Sequence, residues 1–422
     1  MATTTMTATE PAKAGTPRLK VKQLYTYPIK SIRGMSLPTL PATPLGFALD
    51  RRFMLVSTKI DPKTGLFTNM HVSGFESMCL FTTHIPDAES SKPVSELRQI
   101  EVRYGKSHSF KDSAKEVGKE SLLVPVEPDV EVLRLESVKV RMHHSPTNAW
   151  DMGEKYNKWF TERFGFEVKL LYLGTNRRKV LGNVAPDVHA KQRRGELKQY
   201  DGLKNAADED GAASGGGWLG GLTSAIKSTV SSVSGSMVGA GVSNGEDGID
   251  QGIGFSDVAP FLVVSATSHA NAAKRFENPE DIDISKFRPN IVVEGADDAF
   301  EEDYWAELMF SPKSGGDEAK IVLTQNCARC NSLNVDYKTG KVAEGETGKL
   351  LATLSKDRRV DPGSKWSPIF GKYGFLAGKG PGADGRQAVF SVGDEVKVVK
   401  RNDSEGRTAW EWPGLGTYPK DL

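Results

Sequence analysis

Cysteine is scarce in this chain: there are three among 422 residues, Cys79, Cys327 and Cys330. So few, so unevenly placed, exclude the disulfide framework of a small secreted domain and point to a reducing compartment. An excess of charge of one sign is also lacking. Lys plus Arg (55) nearly cancels Asp plus Glu (54), leaving +1, so no overall field holds a polyanion and a nucleic-acid role would need a local basic patch. No run approaches the ~20 apolar residues of a membrane span. The opening "MATTTMTATEPAKAGTPRLK" has no continuous apolar segment, so neither a transmembrane anchor nor a cleaved secretory signal is expected.

What is present reads mostly as β-structure. From Leu19, "LKVKQLYTYPI", "FALDRRFMLVST", "MCLFTTHI", "ELRQIEVRYG" and "VEVLRLESVKVRMHH" are β-branched and aromatic runs broken by Pro, Gly and Ser. One helix interrupts them, "MGEKYNKWFTERFG", with Tyr156, Trp159, Phe160 and Phe164 at helical spacing and Gly165 as its stop. After the strand "VKLLYLG", a basic loop leads into about fifty residues dense in Gly, Ser, Ala and acid, a linker or insertion. Within it, Trp218, Leu219, Leu222, Ile226, Val230, Val233 and Met237 fall within an arc of roughly 120°. That face suits contact with a membrane surface through residues 218 to 238, or the stretch is simply a Gly/Ser linker. Beyond Gly254, "APFLVVSATS", "FRPNIVVEG", "AKIVLTQN" and "VGDEVKVVKR" read as strands, with "HANAAKRFE" and "GKLLATLSKDR" as helices. Many short strands without a helix after each argue for a β-barrel over a doubly wound sheet in this second part.

The cysteine pair sits in "LTQNCARCNSLNVD". A zinc site needs about four ligands and finds two here; a thioredoxin-like dithiol wants a helix N-terminus, and this pair follows a strand. An iron–sulfur cluster wants more thiolates than the chain brings. One reading remains for chemistry: a single soft thiolate ligand for a metal that carries its other sulfurs with it. In an extended segment, residues three apart face opposite ways, so one cysteine binds and the other packs, with Arg329 favouring the thiolate. Two buried cysteines serving as small hydrophobes are the plain alternative.

"LYTYPIKSIRG" and "LDRRFMLV" resemble the N-terminal β-barrel domain that precedes a MOSC domain, and "FSDVAPFLVVS", "FRPNIVVEG", C-x-R-C, "SPIFGKYG" and "VGDEVKV" resemble the MOSC domain itself, in that order. The chain is similar to the mitochondrial amidoxime-reducing component family of molybdenum-cofactor enzymes. The resemblance implies a mostly β (α+β) fold: a tail 1–18, an N-terminal β-barrel-like domain 19–175, a low-complexity insertion 176–252, a MOSC β-barrel domain 253–400 and an extension 401–422. It implies Cys330 as the molybdenum ligand and catalytic centre at the mouth of a barrel. Lys30, Ser31, Arg51, Asp257, Arg288, Asn290 and Arg329 are the implied contacts to the molybdenum cofactor (Mo-molybdopterin). Taken singly, each has a structural reading as surface charge, cap or ion-pair partner. Together, Lys and Arg suit the cofactor's phosphate, and Asp and Asn its heterocycle. Ala328, Val258 and Ala259 stand where relatives often carry hydroxyl residues, so some side-chain contacts to the cofactor are expected to be missing or replaced by backbone.

The implied activity is reduction of N-hydroxylated compounds, amidoximes and hydroxylamines, to amines or amidines with release of water. No flavin, nicotinamide or ferredoxin module is legible, so cytochrome b5 and an NADH-cytochrome b5 reductase are the implied electron donors, at or near the mitochondrial outer membrane. The alternative is a sulfur carrier or molybdenum-cofactor carrier without reductase activity. Pyridoxal phosphate binding belongs to the sulfurase side of the resemblance, although no desulfurase domain precedes the MOSC pattern.

Overall fold

Seven strands of one sheet close into a ring, and the first of them comes from the start of the chain. Around it run Leu19–Thr26, Ile291–Glu294, Phe261–Ser265, Ile369–Leu376, Ala319–Ala328, Trp305–Ser311 and Glu395–Arg401, which pairs again with Leu19–Thr26. The computed structural model describes residues 19–105, 121–143, 145–178, 252–361, 364–377 and 388–402. The proposed amphipathic face at 218 to 238 lies outside them. Phe261–Ser265 and Ile291–Glu294 pair in parallel; their neighbours pair antiparallel.

The alternation of side chains along these strands builds two cores. Phe261, Val263, Ile291, Val293, Leu308, Phe310, Ile321 and Leu323 fill the barrel interior, together with Val21, Leu24 and Trp305. Their strand neighbours Leu262, Val264 and Phe370 face outward into a second cluster, covered by the helices Ala266–Ala273 and Leu350–Ser355. A period of two therefore buries both faces of the same strands. The first helix begins at Ala266, where Ser265 Oγ accepts from Ser268 N.

The N-terminal half packs a five-stranded sheet (Glu136–Met142, Ser145–Asp151, Val168–Tyr172, Phe53–Ile60, Phe67–Asn69) and a three-stranded one (Phe81–His84, Gln99–Tyr104, Leu122–Pro125) around one apolar cluster. The expected helix is present as Glu154–Phe164, ended by Gly165 in the left-handed conformation. A barrel-like first unit and a second barrel are present as expected, but the second closes only by taking Leu19–Thr26 from the first.

Two stretches differ in detail. Met78, Cys79 and Leu80 form part of a 3-10 turn before the strand Phe81–His84. Among the described residues of "VEVLRLESVKVRMHH", only Glu136–Met142 is strand. Ahead of it, Asp129 accepts from the backbone nitrogens of Glu131 and Val132, and Arg134 adopts a positive φ of 49°, so the apolar-rich run turns on itself.

Candidate functional site

The segment Tyr27–Ser31 leaves the barrel strand Leu19–Thr26 and crosses to the N-terminal sheet, where Ile29 bridges Phe53. Lys30, with 8% of its surface exposed, is thereby placed at the junction of the two halves. Its Nζ reaches Asp257 Oδ1 at 2.5 Å, and His143 Nε2 approaches the same oxygen at 3.2 Å. Asp257 keeps 47% of its side chain exposed, so the pair reaches solvent. Burial pushes the Asp257 carboxyl up, but Lys30 first, then His143, outweigh it and hold the group well below the usual carboxylate range. Lys30 is pulled down by burial, opposed by Asp257.

A second node joins Arg51, Asp50 and Asn290. Arg51 donates to Asp50 Oδ2 (2.6 Å) and to Asn290 Oδ1 (3.0 Å), while Asp50 Oδ1 accepts from Tyr27 N (2.9 Å) and Asn290 Nδ2 (3.2 Å). Burial works against the Arg51 charge, and Asp50 more than restores it. Arg288 donates to the Ile32 carbonyl at 2.8 Å, and its guanidinium lies 4.4 Å from the Tyr27 ring centre. Burial lowers its pKa. Ser31, Arg51 and Arg288 all have positive φ, 68°, 46° and 54°, as does His143 at 49°. Non-glycine residues rarely adopt that conformation, and its concentration here marks strain held at a site.

The two cysteines of C-x-R-C part company. Cys327, 2% exposed, packs with Phe287 and Phe370 in the cluster outside the barrel. Burial raises its pKa despite Arg329, which fits an inert packed thiol. Cys330 is exposed, in extended backbone just past the strand, with Ser332 Oγ 3.3 Å from its sulfur. Arg329 turns inward, where Nη1 donates to Cys327 Sγ (3.0 Å) and Nη2 to the Phe287 carbonyl (3.0 Å). The direct support for a Cys330 thiolate expected from Arg329 is thus not what its hydrogen bonds provide. Phe287 precedes Arg288, so this contact ties the cysteine loop to the Arg288 turn. Cys327 and Phe287 belong to the apolar layer outside the barrel, while Cys330 lies just beyond the end of the barrel strand Ala319–Ala328.

Of the eight residues drawn from the motifs, Lys30 and Asp257 meet in one node, and Arg51, Arg288 and Asn290 in another around Tyr27 and Asp50. Arg329 joins through Phe287, Cys330 follows it in the chain, and Ser31 sits between Lys30 and the Ile32 carbonyl that Arg288 holds. Sequence reasoning missed His143, Asp50, Tyr27 and Arg178. Arg178, 1% exposed, donates to the carbonyls of Gly254, Ser256, Asp257 and Met142, clamping the Asp257 loop to the hairpin that carries His143. Carbonyl acceptors have no side-chain signature, so that clamp leaves no motif. Asp50 adjoins Arg51 in the "LDRR" run and could have been noticed there.

Among the described residues no group of three or more His, Cys, Asp and Glu is placed to hold a metal ion, so a metal here would bring most of its ligands with it. The site's donors fit such a cofactor. Arg288 Nη2 and Arg329 Nε are buried without a hydrogen-bond partner, and orphaned cationic donors are costly unless an acceptor, best an anion, completes them.

Comparison with known families agrees with this architecture. The MOSC N-terminal beta barrel domain matches residues 18–167 and the MOSC domain residues 250–397. The chain is a MOSC-domain protein with the two-domain, N-terminal-barrel arrangement. It is similar to human mitochondrial amidoxime-reducing component 1, 37% identical over 151 residues, which is 35% of this chain and 39% of that protein. Bovine mitochondrial amidoxime reducing component 2 is 38% identical over 125 residues, 29% of this chain and 34% of the relative. A molybdenum cofactor sulfurase of Arabidopsis thaliana is 28% identical over 159 residues, 35% of this chain and 17% of the sulfurase. The chain therefore spans less than half the length of these relatives. Both matched domains are MOSC modules, and pyridoxal phosphate binding gains no support from them.

Proposed function

We propose that this protein is a molybdenum-cofactor-dependent reductase of N-hydroxylated compounds, amidoximes and hydroxylamines. The observation that carries the reading is an exposed thiol, Cys330, next in the chain to buried Arg329, whose Nε, like Nη2 of half-buried Arg288, has no hydrogen-bond partner. Cys330 would hold the metal. Arg288, Arg51 and Arg329 would take the cofactor's anionic group and Asp257 would accept from its heterocycle, while Asn290, 1% exposed with its amide spent on Arg51, Leu262, Tyr25 and Asp50, would hold Arg51 in place. When bound, the cofactor supplies the two-electron reduction of the N–O bond. The chain's share is to orient and to manage protons: the Lys30 ammonium and the His143 imidazole converge on the Asp257 carboxylate, and this trio would relay protons to the oxygen that leaves as water. Electrons would arrive from a cytochrome b5-type partner and its NADH-dependent reductase. The names of the relatives support a mitochondrial setting. Among the described residues no helix is long and apolar enough to cross a membrane.

The test is metal analysis of protein from a cofactor-producing host, followed by benzamidoxime turnover with an artificial reductant. Stoichiometric molybdenum with turnover is expected. Molybdenum without turnover favours a carrier, and folded protein devoid of molybdenum overturns the reading.

A further inference from the structure

Tyr27 lies in the "YPIKS" run, at the centre of the second node. Both arginines of the second node rest on its ring, Arg51 with its guanidinium carbon 4.7 Å and Arg288 4.4 Å from the ring centre. The ring cannot drift. Its hydroxyl donates to the Pro289 carbonyl at 3.0 Å, and its backbone nitrogen donates to Asp50 at 2.9 Å. Gly34 is pressed so closely on it that a Cβ there would stand 2.5 Å from Tyr27 Cδ1 and 2.3 Å from the Thr26 carbonyl oxygen. Gly34 is not at a positive φ, so close approach to this ring and strand is what its missing side chain serves.

We infer that Tyr27, braced by Gly34, is a positioning residue that holds Arg51 and Arg288 together as one receptor for a phosphate-class dianion. The difficulty it solves is electrostatic. Two cations brought together in a half-buried site repel, and only Arg51 has a carboxylate partner, Asp50. Arg288 has one carbonyl, an orphaned Nη2 and the aromatic face. A neutral ring supplies negative quadrupole to both without neutralising either, as a carboxylate would, so the charge stays available to a ligand. Burial keeps the Tyr27 phenol protonated by raising its pKa well above the ordinary value.

This inference rests on the cofactor reading for its natural ligand, but its test does not. The full chain is made in a host unable to synthesise the cofactor, and inorganic pyrophosphate is titrated by calorimetry. Phenylalanine at position 27 should bind within about twofold of wild type. Phenylalanines carrying one, two and three ring fluorines, introduced by nonsense suppression, keep the shape but drain the ring face, and affinity should fall stepwise to roughly tenfold weaker. Gly34→Ala, which displaces the ring, should weaken binding similarly. A flat fluorine series, or a wild-type chain that binds no pyrophosphate, overturns the inference. Pyrophosphate binding with a falling series, in a protein that never acquires pterin in a competent host, keeps the Tyr27 assignment and sinks the cofactor reading.

Discussion

Buried arginines are held in two ways in this molecule. Arg358 Nη2 donates to both Asp303 carboxylate oxygens at 2.8 Å and its Nε to the Ile369 carbonyl; Arg178 spends its guanidinium on four backbone carbonyls. Arg288 and Arg329 each bury a nitrogen with no partner. The first kind is complete without a ligand and holds the fold; the second is finished only when something else arrives. A structural arginine and a receptor arginine are thus distinguished by unspent donors more than by burial.

That contrast can be broken or sharpened by experiment. The largest effect is expected at the metal ligand itself: Cys330→Ser should keep its melting temperature and lose benzamidoxime turnover to below detection, with bound molybdenum measured alongside. Full turnover in that variant removes the assignment. Next, Arg358→Met removes the arginine partner of buried Asp303 and should cost about 3–5 kcal/mol in urea unfolding, whereas Arg288→Met should cost under about 1 kcal/mol and instead abolish pyrophosphate binding. Equal losses of stability would erase the distinction drawn here.

A pH effect follows from Glu302, fully buried with Ser268 as its hydrogen-bond partner and pushed up to about 7, chiefly by burial. Between about pH 4.5 and 7 the folded chain keeps a proton that the unfolded chain releases. Stability should therefore fall as pH rises through that window, by up to about 3 kcal/mol, and then level off. Glu302→Gln should flatten the fall in unfolding free energy measured against pH. The smallest effect is expected from Asp357→Asn, which breaks the exposed pair with Arg275 and should change stability by about 0.5 kcal/mol or less.

Much of the barrel was legible because Phe261–Ser265, Ile291–Glu294 and Ala319–Ala328 are dense in β-branched and apolar residues, and each sits between turn signals. Its closure was not. Nothing local in "LKVKQLYT" says that it pairs with both Ile291–Glu294 and Glu395–Arg401, since register across hundreds of residues is set by packing. That one cysteine packs and the other is exposed was the expectation for an extended segment, although the ladder shifts register between Asn326 and Ala328 and Cys330 lies past the strand's end. The direction of Arg329 was not legible, because its acceptor on Phe287 comes from a distant turn. The left-handed conformations of Ser31, Arg51 and Arg288 are likewise invisible in residues that are not glycine.

The seam between Leu19–Thr26 and Glu395–Arg401 has a consequence for the chain's birth. Leu19 and Val396 are neighbours in the finished barrel, yet at about 5–20 residues per second the ribosome makes them roughly 20 to 75 s apart. Throughout that interval the first strand has an unsatisfied edge, open to mispairing with other nascent chains. Delivery of the last strand, more than any step in the N-terminal half, sets when this protein becomes safe from aggregation.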